Sequence, residues 1–172
     1  VPPVAALSGD DTAYAAVCRN VLELYRKTPT PANADRAVKS CLLKPGVIDK
    51  AELPLDTLPT TLDVSTAPKF LPPWFWATRA LLAYRLGDTE TAVKHVAASE
   101  QYLPNERCHA LNLAVLAMAQ HQLQQADEAK AALSEASQLI TQLKTADANH
   151  HDVLIAEILF REAEAKMSDK DR

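Results

Sequence analysis

Residues 76–96 read WATRALLAYRLGDTETAVKHV, and residues 113–133 read LAVLAMAQHQLQQADEAKAAL. A slide of 37 positions places Trp76, Arg79, Ala80, Ala92 and Val96 on Leu113, Leu116, Ala117, Ala129 and Leu133. In each copy a bulky residue precedes a key alanine by 16 positions (76 to 92, 113 to 129), and an apolar residue follows that alanine by 4. Apolar residues at three- and four-residue intervals line one face of a helix. Gly87–Asp88 breaks the first copy with a turn, and Asp88 suits the N-cap of the helix that follows. Small Ala80 and Ala92 let paired helices approach closely, while Trp76 and Val96 fill the space around them. The unit is a helix–turn–helix, used at least twice.

Working outward, proline organises the rest. Prolines at 29, 31, 45, 54, 59, 68, 72 and 73 punctuate the first half, whereas Pro104 alone follows residue 74. Proline costs about 3 kcal/mol inside a helix, so the second half is free to be helical nearly throughout. The pattern predicts a helix over 11–27, with Tyr14, Val17, Cys18, Val21, Leu24 and Tyr25 on its apolar face. A second follows from Pro31 to 43, presenting Ala37, Val38, Cys41 and Leu42 and ended by Pro45–Gly46. Residues 48–58 read as a short helix interrupted at Pro54. Residues 59–72 read as an extended connector whose Val64, Phe70 and Leu71 lie down on neighbouring helices. Helices over 73–86, 89–102, 106–122 and 126–144 come next, with Asn105 capping the third of these. Asn149 caps a last helix running to 167. The expectation is an all-α chain of about seven helices in a single domain. Its parts are a first hairpin (1–46), an irregular connector (47–72), a second hairpin (73–104), a third hairpin (105–145), a capping helix (146–167) and a charged tail (168–172).

Bulk properties agree. In 172 residues, 48% are hydrophobic and 23% charged, which excludes a disordered chain. Three glycines and 5% aromatic residues are too few for a β-sandwich. The net charge of -4 leaves no basic stripe for nucleic acid. No apolar run approaches the roughly 18 residues needed to cross a bilayer. The chain opens on Val1 without a signal-type segment, so it reads as a processed product or a piece of something longer. Cys18, Cys41 and Cys108 lack metal or redox spacing and read as buried thiols; a Cys18–Cys41 disulfide between neighbouring helices needs an oxidising compartment. Unpaired cysteines and the absent signal read as cytoplasmic.

The repeat resembles the tetratricopeptide motif, W-x2-L-G-x2-Y, then A-x3-F, then P. Here it reads Trp76 through Tyr84, Ala92 through Val96, then Pro104. Arg79 replaces the usual leucine, Ala83 the usual tyrosine, and Thr141 stands where the second copy needs its proline. The resemblance implies a stack of antiparallel helical hairpins closed by a C-terminal capping helix. A wider resemblance rests on YAAVCRNVLELY, ADRAVKSCLLKPGVID, ALLAYRLGDTETAVKHV, LAVLAMAQHQLQQADEAKAALSEA and HDVLIAEILFREAEA. These are similar to the C-terminal helical-repeat region of planctomycete-type multidomain proteins, which carry a serine/threonine kinase domain, a β-propeller or both upstream. No Gly-rich loop, HRD or DFG occurs here. The resemblance therefore implies the non-catalytic tail of a bacterial signalling or scaffold protein.

In tetratricopeptide stacks the first helix of each hairpin lines a concave groove. Mapped here, that set is Trp74, Ala77, Leu81, Tyr84 and Arg85, then Leu111, Ala114, Met118, His121 and Gln122. It is mostly apolar, fit for a peptide or partner helix, unless the chain's own 47–72 connector or last helix fills it. The lysines and asparagines with which chaperone-tail-binding relatives clamp a carboxylate are absent, since Leu81, Arg85 and Met118 stand there. His95 and His109 are isolated, and adjacent His150 and His151 point about 100° apart on a helix, so no metal site is expected. Glu157, Glu162 and Glu164 alternate with Arg161 and Lys166 as on a solvated helix face. No nucleophile, base and orienting group share a motif, so neither catalysis nor a cofactor is expected. The reading is a protein-interaction module, with a structural spacer whose groove is self-filled, or a ligand-binding bundle, as its rivals.

Overall fold

The computed structural model describes residues 1–65, 67–102 and 105–168. Among these the chain is all-helical, with nine α-helices: α1 (Pro2–Leu7), α2 (Asp11–Lys27), α3 (Pro31–Cys41), α4 (Leu58–Thr61), α5 (Pro72–Leu86), α6 (Thr89–Glu100), α7 (Glu106–Gln122), α8 (Ala126–Asp147) and α9 (His151–Ser168). Pro104, expected to close the second helical pair, lies outside the described residues, as do residues 169–172 of the expected tail.

Local chemistry sets most helix starts. The side chains of Asp10, Thr30, Asp88 and Asn105 accept hydrogen bonds from the N–H groups of Ala13, Asn33, Thr91 and Cys108. Each satisfies one of the donors a helix leaves unpaired at its start. Helices α1, α3, α4 and α5 carry proline in their first turn, where a missing N–H costs nothing.

The helices pack in a regular order. α5 lies along α6 and meets α7; α7 lies along α8 and against α9; α6 also meets α7, and α8 meets α9. The N-terminal helices join from the other end, with α3 on α5, α2 on α3, and α1 touching α2, α3 and α9. Phe75, Leu81, Leu111 and Leu159 are wholly buried at the centre. The repeat alanines behave alike: Ala80 and Ala117, and Ala92 and Ala129, are all fully buried. A methyl side chain there leaves room for the neighbouring helix backbone.

The 37-residue offset recurs in the backbone. Gly87 ends α5 at φ +86°, with its N–H on the Tyr84 carbonyl and the Asp88 N–H on the Ala83 carbonyl. Thirty-seven positions on (87 to 124), Gln124 ends α7 at φ +62°, with its N–H on His121 and the Gln125 N–H on Gln120. Both are Schellman caps. The second puts a side chain where glycine fits without strain, so Gln124→Gly is expected to raise stability by about 1 kcal/mol. Chemical denaturation of the two chains checks it; an unchanged midpoint would show that the left-handed turn costs glutamine nothing.

Several expectations are corrected. α1 went unread because six residues carry too little periodicity. Leu24 is exposed and Leu22 takes its place in the α2 face, because the buried set follows Tyr14, Cys18, Leu22 and Tyr25 around the helix. The helix expected over 48–58 is a 3-10 turn (Lys50–Glu52) closed by an Asp49–Glu52 capping box, and α4 begins only at Leu58. Pro54 accounts for the break, since it has no N–H to donate within a helix, while Pro59 sits in the first turn of α4, where that lack is harmless. Leu62 anchors the connector in the core, while Phe70, expected to lie down, is 69% exposed. α9 starts at His151 with the His150 ring accepting from the Asp152 N–H (3.2 Å), a role expected of Asn149.

Candidate functional site

Of the ten groove positions, Trp74, Ala77, Leu81, Tyr84, Leu111, Ala114 and Met118 belong to or pack on the hydrophobic core, so most of the expected groove is interior. Ala77, Leu81, Leu111 and Ala114 have no solvent exposure, Met118 has 1% and Tyr84 9%. Trp74, Arg85 and His121 are half-buried, and only Gln122 is exposed. α3 packs on α5 and α9 on α7, with α1 reaching both α3 and α9. The connector goes elsewhere: Leu55, Leu58 and Leu62 face Arg79, Leu82 and Leu86 of α5, across an apolar cavity of about 340 Å³. Arg79 fastens it there by donating to the carbonyls of Pro59 (3.2 Å) and Leu62 (2.8 Å).

Arg85 ties three elements at the closed face. Its guanidinium makes a two-pronged pair with Glu162 of α9 (2.6 and 2.5 Å) and donates to the carbonyls of Leu42 (2.9 Å) and Leu43 (3.4 Å) just past α3. The Arg85 and Glu162 side chains are 9% and 15% exposed. Such bidentate pairs combine charge with fixed geometry. Burial and the nearby Glu162 charge raise the Tyr84 hydroxyl above its ordinary pKa of 10.0. Glu162 is therefore a tertiary clamp, contrary to its reading as part of a solvated face. Glu157 departs from that reading too: it is buried and accepts from Lys144 (3.0 Å) and Arg161 (2.5 Å). Burial alone would raise its pKa, but the two cations outweigh it and hold the carboxyl below 4.5.

At the edge of this face, α3, the start of α5 and the start of α9 surround a cleft of about 660 Å³. Its floor holds an ion pair between Lys39 and Asp35 (3.1 Å), both buried. The Thr78 hydroxyl of α5 donates to the other Asp35 oxygen (2.5 Å), and the Lys39 ammonium lies 4.4 Å from the centre of the Trp74 ring. Exposed Phe70, Arg36 and half-buried His151 form its rim. Burial holds His151 below its ordinary pKa, and Lys39 and Arg36 add to the effect despite Asp152. Of these residues sequence reasoning had singled out only Trp74, Phe70 and His151. The Asp35–Lys39 spacing of one helical turn was a signal available for the pair, but nothing local distinguishes a buried pair from the many exposed ones.

The remaining histidines do not converge, and among the described residues no group of three or more His, Cys, Asp and Glu is placed to hold a metal ion. His95 packs on the Trp76 ring (5.1 Å between centres). His109 stands between Glu100 (2.8 Å) and Glu135 (3.3 Å). Burial alone would lower its pKa, but the two carboxylates outweigh it and hold the imidazole above 6.5. A raised folded pKa means stability that is fully present below 6.5 and is lost as pH rises through the folded value. Thermal melts across that window are thus expected to show the wild type losing stability relative to His109→Gln. Parallel profiles would remove the two carboxylates as the cause.

No helix among the described residues is long and apolar enough to cross a membrane. Compared with known protein families, with curated proteins and with solved structures, the chain matches none.

Proposed function

We propose that this chain is a non-catalytic protein-interaction unit, a tetratricopeptide-like stack of helical hairpins whose inner face is filled by its own helices. It braces neighbouring domains or a partner protein as a rigid block and does not grip a peptide in a groove. The observation that carries this reading is the burial of Leu81, Leu111, Ala114 and Met118 together with the Arg85–Glu162 clamp. The hairpin reading is supported by the matched caps at Gly87 and Gln124, the buried alanines at both repeat positions, and the order α5, α6, α7, α8, α9 in which each helix packs on the next while α5 also meets α7 and α7 also meets α9. Repeat stacks need their terminal apolar faces covered, and α3 and α9 are in place to do this. A place within a larger signalling or scaffold polypeptide is part of this proposal and rests on the resemblance of the segments quoted above alone.

Met118→Cys tests the closure. In a filled groove the new thiol reacts with an alkylating reagent on the order of a hundredfold more slowly in native buffer than in denaturant. Rapid labelling with helicity intact would mean an open groove and would return peptide binding at α5 and α7 as the better reading.

The edge cleft favours a second reading, recognition of a partner there. Phe70 is 69% exposed beside Trp74, and exposed aromatic side chains are common anchors of protein contacts. A pull-down from the source lysate compares the wild type with a Phe70→Ala/Trp74→Ala variant of native helicity. A partner lost only from the variant locates recognition at the cleft; identical capture leaves bracing alone.

A further inference from the structure

We propose that Cys18 of α2 and Cys41 at the end of α3 are a disulfide site, and that an oxidant of the small-molecule disulfide class joins them into a staple across the first two long helices. The two residues lie 23 positions apart in sequence yet interlock. The Cys41 thiol donates to the Cys18 carbonyl (3.9 Å), and the Cys18 thiol donates to the carbonyl of Ser40, the neighbour of Cys41 (3.6 Å). Both are buried and both are free thiols. The Tyr14 hydroxyl donates to the same Ser40 carbonyl (2.6 Å), closing the pocket from one turn away on α2. Two buried thiols whose sulfurs each lie against a backbone carbonyl of the other's helix, on helices packed together, have the proximity a disulfide first requires.

The roles within the pair differ. When Cys18 ionises, the Cys41 thiol and the Tyr14 hydroxyl turn from the Cys18 and Ser40 carbonyls to donate to its sulfur; the Cys41 bond is the main influence, and together they outweigh burial and lower the Cys18 pKa. Cys41 is held well above the ordinary thiol range, first by that same hydrogen bond and then by burial. Cys18 is thus the attacking thiolate. Because Cys18 is buried, a local opening of the α2–α3 contact first admits a disulfide RSSR, from which Cys18 displaces one thiolate, forming Cys18–S–S–R. Cys41 then gives up its proton and attacks the Cys18 sulfur, the S–R bond breaks, and the second RS⁻ leaves. The sum is two protein thiols and RSSR giving one protein disulfide and two RSH. Cys108 stays out of the reaction. It lies against the Ser99 hydroxyl (3.6 Å), far along the chain, and burial pushes its thiol up to about 12.

A staple here acts on the closed face. α3 carries Asp35 and Lys39 and ends at the Leu42 and Leu43 carbonyls that hold Arg85. Joining α3 to α2 fixes the element that covers α5, so oxidation tightens the closure and reduction loosens it.

The test equilibrates the full chain with mixtures of reduced and oxidised glutathione, in native buffer and in denaturant, followed by acid quench, alkylation and peptide mapping. In native buffer the expected product has Cys18 linked to Cys41 and Cys108 alkylated. Its effective thiol concentration exceeds that in denaturant by about a hundredfold, the factor by which such a bridge favours the folded state. The oxidised chain melts roughly 5–10 °C higher than the reduced one. Cys108→Ser is expected to give the same product, and Cys41→Ser to trap glutathione on Cys18. Equal effective concentrations in the two solvents would overturn the proposal. So would stable glutathione adducts on wild-type Cys18 or Cys41, or a bridge to Cys108.

Discussion

Asp35→Ala is expected to destabilise the fold by about 3–5 kcal/mol, the range for breaking a buried ion pair from one side. The loss follows from what remains behind. Asp35 and Lys39 are 7% and 3% exposed at the side chain, so the variant leaves an ammonium with little water and no carboxylate. The Trp74 ring, 4.4 Å away, offers only a partial substitute; a cation over an aromatic face is worth about 0.5–2 kcal/mol. The Thr78 hydroxyl also loses its acceptor. Urea denaturation reads the change as a shift in midpoint. A paired Asp35→Leu/Lys39→Met variant separates the causes. Removing both charges removes both desolvation penalties, so the double variant is expected to recover most of the loss and could match the wild type. A double variant as unstable as Asp35→Ala would mean that the packing of α3 on α5, and not charge, is what the substitution disturbs.

Arg85→Ala is expected to cost a comparable amount, about 3–5 kcal/mol, but its loss is not recoverable in the same way. Arg85 pairs with Glu162 and also satisfies the carbonyls of Leu42 and Leu43 where α3 ends. Deleting Glu162 as well relieves the stranded carboxylate and leaves those carbonyls without their donor. Arg85→Ala/Glu162→Ala is therefore expected to stay well below the wild type in urea denaturation, in contrast to the Asp35–Lys39 double variant. Because glutamine keeps an oxygen that can accept from the Arg85 guanidinium, and Arg85 still holds the Leu42 and Leu43 carbonyls, a milder result for Glu162→Gln than for Arg85→Ala is expected as well. If Arg85→Ala unfolded at the wild-type midpoint, the clamp would not hold α9 and α3 over the inner face, and the bracing reading would lose its support.

The helices themselves were legible because their signals are local. Asp88 and Asn105 are capping residues in the right place, Pro31 and Pro72 suit a first turn, and the alternation of Ala80, Ala92, Ala117 and Ala129 with larger residues follows the helical period. The observed bounds of α2 and α7 coincide with the expected 11–27 and 106–122, and those of α5 and α6 differ by a residue or two. Where the period is short or broken the reading failed, at α1 and across 47–72, because four to six residues do not complete enough turns to define a face. The turn at Gln124 was equally invisible: glutamine carries no preference for the left-handed region, and only the hydrogen bonds at the same offset as Gly87 reveal that the turn is repeated.

The site was less legible than the fold. Tyr84, Leu111 and Met118 were grouped by helical period on one side of α5 and α7 and are buried there, but grouping does not say what stands opposite. Glu157 and Glu162 fit the alternating charges of an exposed helix face, and the same alternation is produced when a carboxylate meets a cation from a distant helix. Lys144 reaches Glu157 and Arg85 reaches Glu162. Residues 162 and 85 are 77 apart in sequence. Helical period, caps and proline placement act over a few residues, so the chain by itself determined that it would be all-helical and where its longer helices begin and end. Which faces are covered, which charges are buried and which thiols meet depend on contacts between residues tens of positions apart, and these only the packing of α3 and α9 against α5 and α7 decided.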